Sequence, residues 1–227
     1  MEELFELFEK SEDVRHQSAI ESNREFFEPE RSRNYYKFHH ELFIKKLETF
    51  KFGETSKSGE NLEAIQKYDL TNDDASAVYM YTHHHIYGNL NYNLRHGAKL
   101  YPDDLKYIEL INVALDKIPP YNSKILYRDI RKPEDGFEKW LDYYASKVGE
   151  EIVFNDFLSC HTDDVRISDE EEEYQFVIQT STNSNSRNIQ ELTFVNNENE
   201  VLFRNGTKFI IDKVVRDENR IYMTELS

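Results

Sequence analysis

The stretch Glu198-Asn-Glu-Val-Leu-Phe-Arg-Asn-Gly-Thr-Lys-Phe209 decides how this chain is read. Two glutamates two residues apart run straight into an apolar, β-prone segment. On a strand, alternation puts Glu198 and Glu200 on the same face. Asn205-Gly206 is a strong turn signal, and Thr207–Val215 reads as the returning strand. A carboxylate pair at a strand edge suits two tasks, stabilising a cationic transition state and orienting a nucleophile. In a chain this acidic, the same pattern also serves as a solvated face.

Two upstream segments shift that balance. Residues 124–130, Lys-Ile-Leu-Tyr-Arg-Asp-Ile, form a short apolar strand with one arginine, Arg128. Residues 154–162, Phe-Asn-Asp-Phe-Leu-Ser-Cys-His-Thr, form another that carries Ser159. In order, these are an arginine strand, a Phe-x-Ser strand and Glu-x-Glu-Val-Leu with a Gly-Thr-Lys-Phe return. That order resembles the Arg-Ser-Glu class of mono-ADP-ribosyltransferases, which includes bacterial toxins, phage enzymes and vertebrate ecto-enzymes. Tyr81-Thr82 followed by Tyr87-Gly-Asn-Leu-Asn-Tyr-Asn-Leu-Arg95 is similar to the family's helix, and Lys117-Ile-Pro-Pro-Tyr121 fits before the arginine strand. The resemblance covers about residues 70–227.

The resemblance implies an α+β ADP-ribosyltransferase-like fold, with two packed, mostly antiparallel sheets forming an NAD cleft. It implies NAD as co-substrate, no metal, and release of nicotinamide as the ribose becomes oxocarbenium-like, as a sugar does in glycoside hydrolysis. Arg128 would clamp the phosphate and ribose side of the nicotinamide half, since a guanidinium fork matches phosphate oxygens. Asp129 stands where the family usually has Gly, and the family's contact there is through backbone. Ser159 matches the first serine of a Ser-Thr-Ser motif and would hold the catalytic glutamate. Cys160 and His161 replace the other two residues of that motif. Glu200 matches the invariant glutamate, which would bind the ribose 2′-hydroxyl and stabilise the cationic charge. Glu198 matches the first glutamate of the pair, which in the family goes with arginine acceptors. A guanidinium acceptor needs a carboxylate to hold and deprotonate it, so a protein arginine is the favoured acceptor.

The 227 residues suffice for one sizeable core, or a core domain with a helical extension. A net charge of −16 repels nucleic acid and anionic membrane over most of the surface. The single cysteine, Cys160, excludes a disulfide framework. On a strand its neighbour His161 points to the other face, so no local Cys–His pair forms, and a buried small side chain is the better reading. No apolar run is long enough for a membrane helix. The acidic N-terminus lacks a signal-peptide pattern. A cytoplasmic site of action is expected, in the cell of origin or, for a delivered effector, in a host or target cell.

Helical periodicity covers residues 3–10 and 34–50, the latter with Tyr35, Phe38, Leu42, Phe43, Leu47 and Phe50 on one stripe. Residues 53–60 read as a loop and the likeliest boundary, between a helical N-terminal extension (1–60) and a catalytic domain (61–227). Helices are expected at 71–96, opened by the capping-box-like Thr71-Asn-Asp-Asp74, at 102–118 behind Pro102, and at 133–147. In the second, Leu105, Ile108, Ile111, Leu115 and Ile118 form the buried stripe; in the third, Phe137, Trp140, Leu141 and Tyr144 face inward. Strands are expected at 151–158, 174–181, 200–204, 207–215 and 220–225, with 182–188 a polar loop and Asp169–Glu173 a solvated acidic one. His83-His84-His85 cannot converge on one metal, because consecutive helical residues lie about 100° apart; His39-His40 reads likewise.

Four readings remain open from the sequence. One is transfer to a protein arginine, with an antitoxin or immunity protein as a further partner. The others are transfer to a nucleic acid as an intracellular toxin, NAD glycohydrolysis, and an inactive binding module of the same fold.

Overall fold

The computed structural model describes residues 57–82, 84–95, 102–122, 124–131, 137–164, 173–193 and 199–227, with residues 97 and 100 and parts of 37–48. From residue 57 the described helices are α1 (Lys57–Lys67), α2 (Asn72–Tyr81), α3 (His84–Arg95), α4 (Pro102–Lys117) and α5 (Phe137–Ser146). The strands are β1 (Ile125–Arg131), β2 (Glu151–Phe154), β3 (Leu158–His161), β4 (Glu173–Gln179), β5 (Ser186–Asn188), β6 (Glu200–Phe203), β7 (Thr207–Val215) and β8 (Arg220–Glu225). Among these residues no helix is long and apolar enough to cross a membrane. Helices dominate before residue 118 and strands after 124, the segregation expected of an α+β fold.

The cap at Thr71 forms as its sequence dictates. The Thr71 hydroxyl accepts from the Asp74 amide at 3.1 Å, and the Asp74 carboxylate accepts from the Thr71 amide at 2.9 Å. Lys117, in the last turn of α4, also donates to Asp74 at 2.7 Å. One buried carboxylate thus caps α2 and pins α4 beside it. The single helix expected over 71–96 is instead two. At Thr82 the hydroxyl donates to the Tyr79 carbonyl at 2.8 Å, a local bond that competes with continuing the ladder.

Other expectations also shift. The loop expected at 53–60 overlaps α1, which buries Ala64 and runs across the expected boundary at residue 60. Asn61 of α1 donates to the Glu191 carbonyl at 2.7 Å, docking the helix on the 3-10 turn Gln190–Leu192. Phe43 and Leu47 join the same core as α1, α2 and α4, whereas Phe38 is 61% exposed and Leu42 is also exposed. Leu105 is 54% exposed. The buried stripe of α4 runs through Asp104, Tyr107, Ile108, Ile111, Ala114 and Leu115, and Leu105 lies roughly 120° from its centre at 100° per residue. Leu141 and Tyr144 are buried as expected; the side chains of Phe137 and Trp140, like Tyr35, Phe50 and the acidic run 169–172, lie outside the described residues.

The eight strands form one hydrogen-bonded sheet in the order β2-β7-β8-β4-β1-β3-β6-β5, antiparallel except for β4 with β8. Two separate sheets were expected; here a single register pair, Tyr127↔His161, joins β1 to β3 and makes the ladder continuous. The sheet folds back on itself. β6 and β7 stand five places apart, a separation of about 24 Å in a flat sheet, yet Phe203 and Phe209 have ring centroids 5.2 Å apart. The Asn205-Gly206 turn, with Gly206 at φ +78°, accordingly makes a corner rather than a hairpin. β7 does not return along β6 but crosses to pair with β2 and β8. Leu126, Phe176, Cys160, Val201, Phe203 and Phe209 fill the space enclosed by the fold. On the other side of β6, Leu202 packs with the helices and Phe157. The serine- and asparagine-rich stretch expected as a loop contains β5, paired to β6.

Candidate active site

The narrow join between β1 and β3 gathers the residues singled out by the sequence. Arg128 lies on β1 between the buried Leu126 and Ile130, and its Nη1 donates to the Ser159 carbonyl at 2.8 Å. Ser159 lies on β3, and its hydroxyl donates to Glu200 Oε1 at 2.7 Å. Glu200 begins β6 and is 8% exposed. Ser159 and Glu200 are diagonal neighbours across the β3–β6 ladder, in which Ser159 pairs with Leu202 and His161 with Glu200. One residue therefore serves both partners: the Ser159 main chain holds the arginine and its side chain holds the carboxylate. At 2.7 Å a hydroxyl-to-carboxylate bond is short and charge-assisted. Glu198 lies outside the described residues.

Polar groups on α2 and α3 fix the segment that precedes Ser159. Asn91 of α3 grips the peptide of Phe157 from both ends, accepting from its amide at 3.2 Å and donating to its carbonyl at 3.2 Å. The same Asn91 amide donates to the Tyr81 hydroxyl at 3.0 Å. Burial, opposed by the Asn91 bond and reinforced by the Glu200 and Asp156 charges, pushes the Tyr81 phenol up, so it stays neutral. Arg95 pairs with the buried Asp156 at 3.1 Å. The motif residues Tyr81, Asn91 and Arg95 thus converge from α2 and α3 on the short link between β2 and β3.

Asp129 and His161, two of the three departures from the motif pattern, meet each other. Asp129 has a side chain only 4% exposed, with His161 Nε2 at 3.3 Å from one oxygen and Gln175 Nε2 donating to the other at 3.0 Å. His161 Nδ1 donates to the Asp163 carbonyl at 2.7 Å. Burial pulls the His161 imidazole down, but Asp129 and the Asp163 carbonyl outweigh it, and the net shift is upward. The negative charge of Asp129 is therefore met by a facing imidazole. Sequence reading missed Gln175, which only the β1–β4 register brings to Asp129, and Asp163, whose bond to His161 forms in the turn after β3.

Cys160 is buried on the opposite face of β3, and burial pushes its thiol up to about 12, which leaves it protonated and inert as a nucleophile. Among the described residues no group of three or more His, Cys, Asp or Glu is placed to hold a metal.

The family model for the ADP-ribosyltransferase exoenzyme domain matches residues 55–226. Comparison with curated protein sequences returns no match. Among solved structures, the chain is similar to Plx2a, an ADP-ribosyltransferase toxin from Paenibacillus larvae. Their identity is 19% and the TM-score 0.60, over 75% of this chain and 95% of that one. It is similar to the ADP-ribosyltransferase HopU1 of Pseudomonas syringae pv. Tomato DC3000, at 15% identity and TM-score 0.62, over 81% and 87%. It is also similar to C3stau2 from S. aureus, solved with NAD, at 16% identity and TM-score 0.56, over 78% and 97%. The likeness to these structures is one of fold; the family match covers 172 of the 227 residues, and the chain belongs to the ADP-ribosyltransferase exoenzyme family and is an NAD-dependent mono-ADP-ribosyltransferase.

Proposed function

We propose that this enzyme transfers ADP-ribose from NAD to an arginine side chain of a protein, acting as a toxin or effector in the cytoplasm of the cell it reaches. The observation that carries the site assignment is the pair of bonds from Ser159, to Arg128 through its carbonyl and to Glu200 through its hydroxyl. The residues fit a dinucleotide substrate: a guanidinium for the diphosphate, and a buried, oriented carboxylate for a ribose that turns cationic. Arg128 holds the phosphate and ribose side of the nicotinamide half. Asp129 takes part through its backbone, its carboxylate being engaged with His161 and Gln175. Glu200 accepts from the ribose 2′-hydroxyl and stabilises positive charge that develops as nicotinamide leaves. Ser159 keeps that carboxylate aimed. Glu198 holds the acceptor guanidinium and takes its proton as the new bond forms to the ribose carbon. The catalytic domain, drawn from residue 61 in the sequence, extends back to include α1, with the residues before it an N-terminal extension; the burial of Ala64 and the Asn61 bond to the Glu191 carbonyl support that start.

The test is incubation with labelled NAD and a cell lysate, followed by mass spectrometry of the labelled residue. Label on arginine is expected, and label confined to another residue type or to nucleic acid overturns the acceptor assignment. Glu198→Gln should lower transfer to arginine much more than NAD hydrolysis. Equal loss of both would contradict the role given to Glu198.

A further inference from the structure

A row of polar side chains crosses four adjacent strands and ends at Glu200. Gln175 on β4 is the register partner of Asp129 on β1. Asp129 reaches His161 on β3, and His161 is the register partner of Glu200 on β6. Directly opposed residues on one face have Cβ atoms roughly 5 Å apart, near enough to interact. From His161 the contacts continue around the strand end. Its Nδ1 donates to the Asp163 carbonyl at 2.7 Å. The Asp163 carboxylate in turn accepts from Asn199 Nδ2 at 2.8 Å, and Asn199 directly precedes Glu200.

We propose that His161 is a positioning residue for Glu200, fixing the start of β6 through the Asp163–Asn199 link while Asp129 orients its ring. The proposal rests on the reading of Glu200 as the catalytic carboxylate. Ser159 holds the Glu200 side chain from one side; the His161 link holds its backbone from the other. Two residues that depart from the family pattern, Asp129 and His161, then act as one unit, in which a carboxylate fixes the ring as it does for a metal-bound or catalytic histidine.

The ring faces Tyr127 and Asp129 from β1, Glu200 from β6 and Asp163 from its own loop. Both nitrogens act as donors toward oxygen only when the imidazole is protonated. The upward shift, to which Asp129 contributes most after burial, favours that form. As pH rises through the raised pKa the ring loses one of its two donors; a neutral ring that keeps its proton on Nδ1 still bonds to Asp163 but is no longer oriented by Asp129, so the link loosens rather than breaks.

Two isosteres separate the contacts. In His161→Asn the amide nitrogen sits near the Nδ1 position and keeps the bond to Asp163; in His161→Gln it sits near Nε2 and keeps only the approach to Asp129. His161→Gln should lower kcat for NAD consumption about tenfold, as loss of one positioning hydrogen bond of roughly 1.4 kcal/mol allows, with KM within about twofold. His161→Asn should recover to within about threefold of the parent and lose the parent's decline at alkaline pH. Asn199→Ala should match His161→Gln, and the double variant should be no worse than either, since both cut one chain. Amide hydrogen exchange over residues 199–203 supplies a readout that does not depend on turnover: faster in His161→Gln and Asn199→Ala, unchanged in His161→Asn. If the parent consumes no NAD, the proposed function fails, and exchange still judges this inference. Parent-like kcat and exchange in His161→Gln, equal losses in both His161 variants, or full additivity with Asn199→Ala would each overturn it.

Discussion

Removing the Ser159 hydroxyl isolates one bond of the site. Ser159→Ala deletes the 2.7 Å bond to Glu200 Oε1 but leaves the Ser159 carbonyl, and with it the hold on Arg128 at 2.8 Å. Cys160 and Leu158 pack on the other face of β3 and are untouched, so the fold should survive with a melting temperature close to the parent's. A hydrogen bond to a charged group contributes about 1.5–3 kcal/mol. If that orientation is needed only as ribose becomes cationic, the loss appears in kcat, as a fall of roughly ten- to a hundredfold. The assay is steady-state release of nicotinamide from NAD, with KM measured alongside. A Ser159→Ala enzyme with kcat within about twofold of the parent's would refute the claim that this serine aims the carboxylate.

Asp74→Ala should destabilise the protein by about 2–3 kcal/mol in denaturant unfolding, because one buried side chain caps α2 and pairs with Lys117. Burial raises the Asp74 carboxyl, but the bonds from Lys117 and Thr71 outweigh it and hold it below its ordinary value. Its stabilising share is therefore present above the ordinary carboxylate range and lost as pH falls through the lowered pKa, which unfolding at stepwise lower pH would register as a loss absent from Asp74→Ala. Asn91→Leu should uncouple Phe157 from α3 and cost about 1–3 kcal/mol by leaving the buried Phe157 amide without its acceptor, while the carbonyl keeps the Tyr81 hydroxyl; it is read as a lowered melting temperature and lowered kcat. Cys160 in the native protein should resist alkylation by iodoacetamide at neutral pH and react on unfolding, since its thiol is buried and pushed up to about 12.

How far the chain could be read depended on whether an element is specified locally. β7 and β8 fall at the expected bounds, because alternation and the Asn205-Gly206 turn mark them. Where β7 goes after that turn was not legible: instead of returning along β6 it crosses to β2 and β8, with Phe203 packed on Phe209 between strands that are not neighbours. β5 reads as a polar loop because its pairing with β6 and the bond from buried Arg187 to the Leu115 carbonyl come from distant segments. The break at Thr82 carries no Gly or Pro, so a continuous helix was the natural expectation. α1 was hidden by the Gly and Ser residues at its start, although Asn61, Ala64 and Lys67 secure it against the rest of the chain. At the site, the order Arg128, Ser159, Glu200 was visible because the residues stand in recognisable local patterns. The tie between Asp129 and His161 was not, since 31 intervening residues separate two side chains that only the β1–β3 register brings together.

The central claim is that Glu200 is the carboxylate that meets the developing ribose cation. Glu200→Gln keeps the shape and one accepting oxygen but loses the charge. Nicotinamide release and lysate labelling by parent and variant, with NAD binding followed by calorimetry, measure it directly. The account predicts a folded variant that still binds NAD and loses about 10²–10³ in kcat, the size expected for an electrostatic contact made in the transition state. A Glu200→Gln protein that releases nicotinamide and labels the lysate as fast as the parent would contradict it.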